Sequence, residues 1–120
     1  MIETIRELQA AGVEPDIWKI EGLDAREDCV RLADVARAGG RDAVECVVLG
    51  RGGDEGKVVR WLRTGAGVPG FVGFAVGRTI WCRPLEEWLA GASADDAAET
   101  IAANYRRLVD ADTTAEKARA

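Results

Sequence analysis

Apolar positions along the chain switch between two periods. Ile2, Ile5 and Leu8 fall on one face at helical spacing and Gly12 stops the run, which predicts a helix over 2–12. Pro15 opens an extended segment over 16–21. Asp24, followed three residues later by Glu27, makes a capping pair for a helix over 25–38 that ends at Gly39-Gly40. The run "VECVVL" at 44–49 reads as a buried strand, and "GRGGDEG" at 50–56 as the loop behind it. Val58, Trp61 and Leu62 are the apolar stripe of a helix over 54–64, closed by Gly65. "GFVGFAV" at 70–76 is a glycine-rich third strand. Pro84 suits the first turn of a short helix through Ala90. Ser93 caps a last helix over 94–110, packed through Ala97, Ile101, Tyr105 and Leu108, and 111–120 reads as a frayed tail behind a domain spanning 1–110.

Alternation of helix and strand predicts an α/β fold of parallel βα units with right-handed crossovers. An open doubly wound sheet and a part of a (β/α) barrel both fit, and both place chemistry at the C-terminal ends of the strands. Those ends are Glu21-Gly22, the glycine loop from Gly50 through Gly53, and Gly77-Arg78.

The first strand poses a question. Successive strand residues point to opposite faces, so Ile17, Lys19 and Glu21 share one face and Trp18 and Ile20 the other. If both faces are covered, an ammonium is buried in mid-strand, at a cost of several kcal/mol unless it is paired or neutral. Two readings stand: Lys19 is the structural ion-pair partner of Glu21, or it is a nucleophile that forms a Schiff base with a carbonyl substrate. Lysine is otherwise found only at positions 57 and 117.

Charge and composition narrow the field. A net charge of −5 over 120 residues argues against general nucleic-acid binding. The absence of histidine excludes His-based triads and His-containing metal sites. No carboxylate cluster stands at the strand ends, so neither metal nor cofactor is expected. No apolar run reaches the length of a membrane span and the N-terminus lacks the pattern of a signal peptide, which makes a cytoplasmic location the expectation and a membrane partner unexpected. Cys29, Cys46 and Cys82 form no CxxC pair and read as buried, reduced thiols. Trp61, Trp81 and Trp88 read as helix faces in the core, and Arg106-Arg107 as a solvated helix face.

The glycines of "VVLGRGGDEG" let backbone N–H groups approach a phosphate, and Arg51 adds charge; a plain βα turn has the same composition. In "GFAVGRTIW", Gly77 allows close approach and Arg78 offers a fork to phosphate oxygens, unless it is a surface arginine in a salt bridge. Successive strands ending in Gly-Arg pairs are what the phosphate site of a barrel needs.

Taken together, "PDIWKIEGL", "CVVLGRGG" and "GFVGFAVGRTIWCRPLEEWLAG" resemble the C-terminal part of a class I aldolase domain, the one often fused behind a sugar kinase in bacterial inositol catabolism. That family cleaves 2-deoxy-5-keto-gluconate 6-phosphate to dihydroxyacetone phosphate and malonate semialdehyde, and is similar to tagatose bisphosphate aldolases. The resemblance spans Ile2 to about Val109. It implies that Lys19 is the Schiff-base lysine, that Glu21 neighbours the reacting carbonyl, and that Gly50, Arg51, Gly52, Gly53, Gly77 and Arg78 surround the substrate phosphate. A full barrel has eight strands and roughly 250 residues. The strands predicted here match its last three, so the chain is expected to be a partial barrel. It should associate with itself or with the missing part, and its ligand is expected to be a phosphorylated sugar or dihydroxyacetone phosphate. A non-catalytic phosphate-binding or structural piece is the alternative to the aldolase.

Overall fold

A computed structural model of the chain describes residues 1–52 and 54–119. Three βα units follow one another: α1 (Ile2–Ala10), β1 (Ile17–Glu21), α2 (Arg26–Arg37), β2 (Glu45–Leu49), α3 (Glu55–Gly65) and β3 (Phe71–Phe74), then α4 (Arg78–Leu89) and α5 (Ala94–Lys117). The strands form one parallel sheet in the order β1-β2-β3, the order of the chain itself. Lys19 stands beside Val47 and Glu21 beside Leu49, and a bulge between Cys46 and Val47 shifts the pairing with β3.

The helices cover one face of this sheet. Ile20 and Cys46 pack with Ile5 of α1 and Leu32 and Ala36 of α2, with Trp18 partly buried against them. Val48 packs with Val58, Trp61 and Leu62 of α3, Ile80 of α4 and Leu108 of α5. Leu32, Leu62 and Leu108 are fully buried, each stabilising the fold by roughly 1.5–3 kcal/mol. On the opposite face Ile17 is 50% and Val72 53% exposed, Lys19 and Glu21 are exposed, and among the described residues no second layer covers them. The least dimension is 21 Å, which accommodates one sheet and one layer of helices. The radius of gyration is 16.3 Å, against about 13.6 Å for a compact domain of this length. The sheet is open, as the parallel α/β pattern allows, and is not a closed barrel.

Side chains from one unit close the helix ends of another. The Gln9 amide donates to the carbonyls of Val35 and Ala36 at the end of α2 (3.2 and 3.1 Å). At the end of α3, Arg26 donates to Ala66 and Gly67 (2.8 and 3.0 Å), and Arg119 donates to Ala66 and Arg63. Both guanidinium groups also complement the negative end of the helix dipole. Ser93 caps α5 as expected, accepting from the Asp96 N–H at 3.0 Å.

Several expectations need correction. Pro84 does not open a helix: α4 starts at Arg78 and Pro84 lies inside it. A proline there lacks the N–H that would bond the Ile80 carbonyl, and the Asn104 amide of α5 donates to that carbonyl instead, at 2.7 Å. The region read as a frayed tail is helical through Lys117, with Ala111, Asp112 and Thr113 half-buried. Asp24 does not cap α2, whose N-cap is Ala25; its carboxylate accepts from Trp61 Nε1 at 2.9 Å. Trp61 is core, but Trp81 and Trp88 are 38% and 45% exposed. Cys82, on the same helix as those two, is half-buried, while Cys29 and Cys46 are buried as expected.

Candidate functional site

The parallel strands deliver their C-terminal ends to one edge, and the loops there enclose an open cleft of about 330 Å³. Lys19 comes from β1, Gly50, Arg51 and Gly52 from the loop after β2, and Gly77 and Arg78 from the start of α4. The expected neighbours are therefore side by side. Gly53 lies outside the described residues. Trp81, one helical turn beyond Arg78, also lines the cleft. Reading Trp81 as core missed it; the signal was its spacing from Arg78, legible only once the helix is known to begin at Arg78.

The glycines divide the work. A Cβ on Gly50 would lie 3.0 Å from Val76 Cγ1 and 3.3 Å from Val58 Cγ2, so this glycine lets the chain's own layers close. Gly52 has φ +70°, and its missing Cβ would stand 3.2 Å from the Arg78 guanidinium carbon. The second glycine thus makes room for the arginine of the neighbouring loop. Arg51 also adopts a positive φ of 50°, a conformation costly for a side chain with a Cβ, and its guanidinium donates to Glu21 Oε1 at 2.7 Å. With the two side chains 63% and 47% exposed, that ion pair stabilises by at most about 1 kcal/mol. Its effect is local: it ties the end of β1 to the loop after β2 and occupies the carboxylate of Glu21.

Lys19 sits differently from what its sequence context suggests. It is exposed on the open sheet face, so the premise of a lysine buried on both sides does not hold in this chain. Among the described residues no salt bridge joins it to Glu21, whose partner is Arg51. Lys19 and Arg78 line a common space at the strand ends.

The two helix N-termini beside the cleft are not equivalent. Asp54 caps α3, accepting from the Lys57 N–H at 3.0 Å. Its carboxylate places negative charge at that end. By contrast Gly77 caps α4 without a side chain, so the positive end of the α4 dipole meets the cleft unscreened by an acid in its first turn. Lys19, Arg78 and this helix end place positive charge around the cleft. Among the described residues no cluster of three carboxylates or thiols stands close enough to hold a metal ion, and no helix is long and apolar enough to cross a membrane.

Behind the cleft, the turn after β1 is pinned by Trp61. Its ring lies against Gly22, its Nε1 donates to Asp24, and Lys57 Nζ stands 4.8 Å from the ring centroid. Glu55 at the start of α3 is bound in a fork by Arg107 of α5 (2.8 and 3.0 Å). These bonds hold its carboxyl below the usual carboxylate range. Arg106 and Arg107 are exposed, as expected of a solvated helix face, and Arg107 is at the same time half of this ion pair.

No curated protein and no solved structure matches the chain. A family model, described as an uncharacterized protein conserved in bacteria (DUF2090), matches residues 1–116. With nearly its whole length aligned to that model, the chain belongs to the DUF2090 family.

Proposed function

We propose that the cleft binds the phosphate of a phosphorylated keto sugar acid and that the chain supplies the lysine and phosphate grip of a class I aldolase. The carrying observation is that Lys19, Arg78 and the two glycine loops, distant in sequence, line one cleft at the C-terminal edge of a parallel sheet. Strand order also supports it. A doubly wound sheet reverses its order and carries helices on both faces, whereas a slice of a (β/α) barrel runs in chain order with its helices outside. This sheet runs in chain order with one face covered. The open face corresponds to a barrel interior, and the strands that would complete it are supplied by an associated chain or a further segment.

In this reading the neutral amine of Lys19 adds to the substrate carbonyl and water leaves. The protonated imine then takes up the electron pair of the breaking C–C bond, while a base removes the proton of the substrate hydroxyl. Arg78 and the N-terminus of α4 hold the phosphate and fix the reacting carbon near Lys19. Glu21 orients Arg51 rather than Lys19. The substrate class follows the sequence resemblance: 2-deoxy-5-keto-gluconate 6-phosphate, releasing dihydroxyacetone phosphate. A non-catalytic phosphate-binding piece is the second reading, favoured by the exposure of Lys19, since a poised amine needs desolvation.

Borohydride added with dihydroxyacetone phosphate should trap one covalent adduct on Lys19, and Lys19→Met should abolish it. Phosphate binding, read by calorimetry, should weaken by about 1.5–3 kcal/mol in Arg78→Ala. Binding without an adduct selects the non-catalytic reading. An adduct on Lys57 or Lys117, or cleavage surviving Lys19→Met, overturns the role of Lys19.

A further inference from the structure

The two elements that frame the cleft, α3 and α4, both pack on α5. Pro84 leaves the Ile80 carbonyl without its helical donor, and Asn104 of α5 donates to it at 2.7 Å. The same Asn104 accepts on Oδ1 from Arg107 at 2.6 Å, and Arg107 grips Glu55, the first residue of α3. Ile80 is two residues from Arg78, and Glu55 closely follows the loop that carries Gly52. We infer that Pro84, Asn104, Arg107 and Glu55 form a brace that sets the spacing between the loop of Gly52 and the start of α4 at Arg78. Asn104 is a positioning residue, and Pro84 is what makes it one.

Proline inside a helix ordinarily destabilises it. Here it turns a backbone acceptor, normally consumed within α4, toward a side chain on α5. The first turn of α4 is thereby fixed to a neighbour rather than only to its own helix. Because Asn104 is bonded on both its donor and acceptor sides, its amide orientation is set by Arg107. The position of α4 is then coupled to that of α3. Ile80 is buried, with Asn104 half-buried beside it, so water is a poor substitute for this donor.

The inference rests on the proposed anion site only for what the spacing serves, and the test separates the two. Thermal unfolding and backbone amide resonances are measured for the chain and for Asn104→Ala, Asn104→Asp, Pro84→Ala and the Pro84→Ala/Asn104→Ala pair. Asn104→Ala should lower Tm by roughly 4–8 °C, the effect of one hydrogen bond in a small domain, and shift the amide resonances of Gly52, Gly77 and Arg78. Asn104→Asp keeps the shape and the Arg107 acceptor but loses the donor, so it should move the same resonances. In the Pro84→Ala background a backbone N–H returns to α4 and can bond the Ile80 carbonyl. Asn104→Ala should then cost less than half as much and return the resonances toward their original positions. An equal Tm loss in both backgrounds, or unmoved Gly52, Gly77 and Arg78 resonances in Asn104→Ala, overturns the brace. Titration with inorganic phosphate decides the other question: a chain that binds none refutes the anion site, while the Tm and resonance results still decide the brace.

Discussion

Gly22→Ala should be among the most damaging single-methyl additions this fold can receive. A Cβ there would lie 1.8 Å from Trp61 Cδ2 and 2.1 Å from Cγ, so the indole would have to retreat by roughly 2 Å to reach an ordinary carbon contact of about 3.5 Å. It has nowhere to go. Trp61 is 8% exposed and packed in the cluster of Val48, Val58, Leu62, Ile80 and Leu108, and its Nε1 bond to Asp24 is 2.9 Å long. Retreat breaks that bond to a carboxylate, worth about 1.5–3 kcal/mol. It also overpacks the core, at about 1–3 kcal/mol, and removes the Lys57 contact, about 0.5–1 kcal/mol. The entropy gained from the unfolded chain by Gly→Ala returns only about 0.4–1 kcal/mol. A net loss of about 2–6 kcal/mol follows, a large part of the ~5–15 kcal/mol typical of a domain. Urea unfolding followed by far-UV circular dichroism measures it without relying on the indole itself. In a Trp61→Leu background the same substitution should cost less than about 1 kcal/mol. A loss below about 1 kcal/mol in the unaltered chain, or an equal loss in both backgrounds, would show that the turn after β1 does not rest on Trp61.

Asp112 is half-buried and near Glu116, and burial first, then that neighbour, raises its carboxyl above the usual aspartate range. A raised carboxyl favours folding only while protonated, so its contribution is present below the unfolded pKa and lost as pH rises through the folded value. Asp112→Asn should therefore raise Tm at pH 7, with the gain vanishing near pH 3; equal Tm gains at both pH values would refute it. Burial pushes the Cys46 thiol up to about 11 and also raises Cys29, and the bond to the Glu86 carboxylate raises Cys82; because only Cys82 is half-exposed, native iodoacetamide labelling at pH 8 should reach it alone, slowly, and mass spectrometry should find Cys29 and Cys46 modified only in urea. The uncovered face bearing Ile17, Val47 and Val72 should drive association, so sedimentation at micromolar concentration should show more than a monomer and Val72→Lys should shift the distribution toward one; a monodisperse monomer before substitution would count against it.

Much of the framework was legible because its signals are local. Each strand was bounded by residues that end strands, and Ser93 announced the start of α5 by its own side chain. Lys19 was legible in a different sense: the alternation of Ile17, Lys19 and Glu21 with Trp18 and Ile20 is the pattern of a strand covered on one side. The assumption of two covered faces, not the sequence, created the buried ammonium. Pro84 was misread because its compensation lies on another helix, at Asn104, and no local window contains both. Trp81 and Trp88 were assigned to the core by residue type alone, although α4 turns them outward. Asp24 had the spacing of a cap, but the Trp61 indole takes its carboxylate across the fold. The cleft itself was foreseen from the positions of the glycine-arginine pairs in successive units. That Gly50 serves internal packing and Gly52 clearance for Arg78 depends on distances that spacing does not encode.

Strand order that follows chain order also has a kinetic consequence. Each strand hydrogen-bonds to one just before or after it in synthesis, so each closure spans a single helix-containing crossover and no longer stretch of chain. At about 5–20 residues per second, β1 and β2 can pair while β3 is still inside the ribosome. The exception is α5, which emerges after α3 and α4 and packs on both. A nascent chain can thus hold its sheet while the Ile80 carbonyl still lacks its Asn104 donor, and the Ile80 side chain, buried with Leu108 of α5 in the complete fold, is then open to chaperones. Assembly of the cleft is thus timed by the arrival of a helix that contributes no residue to its lining.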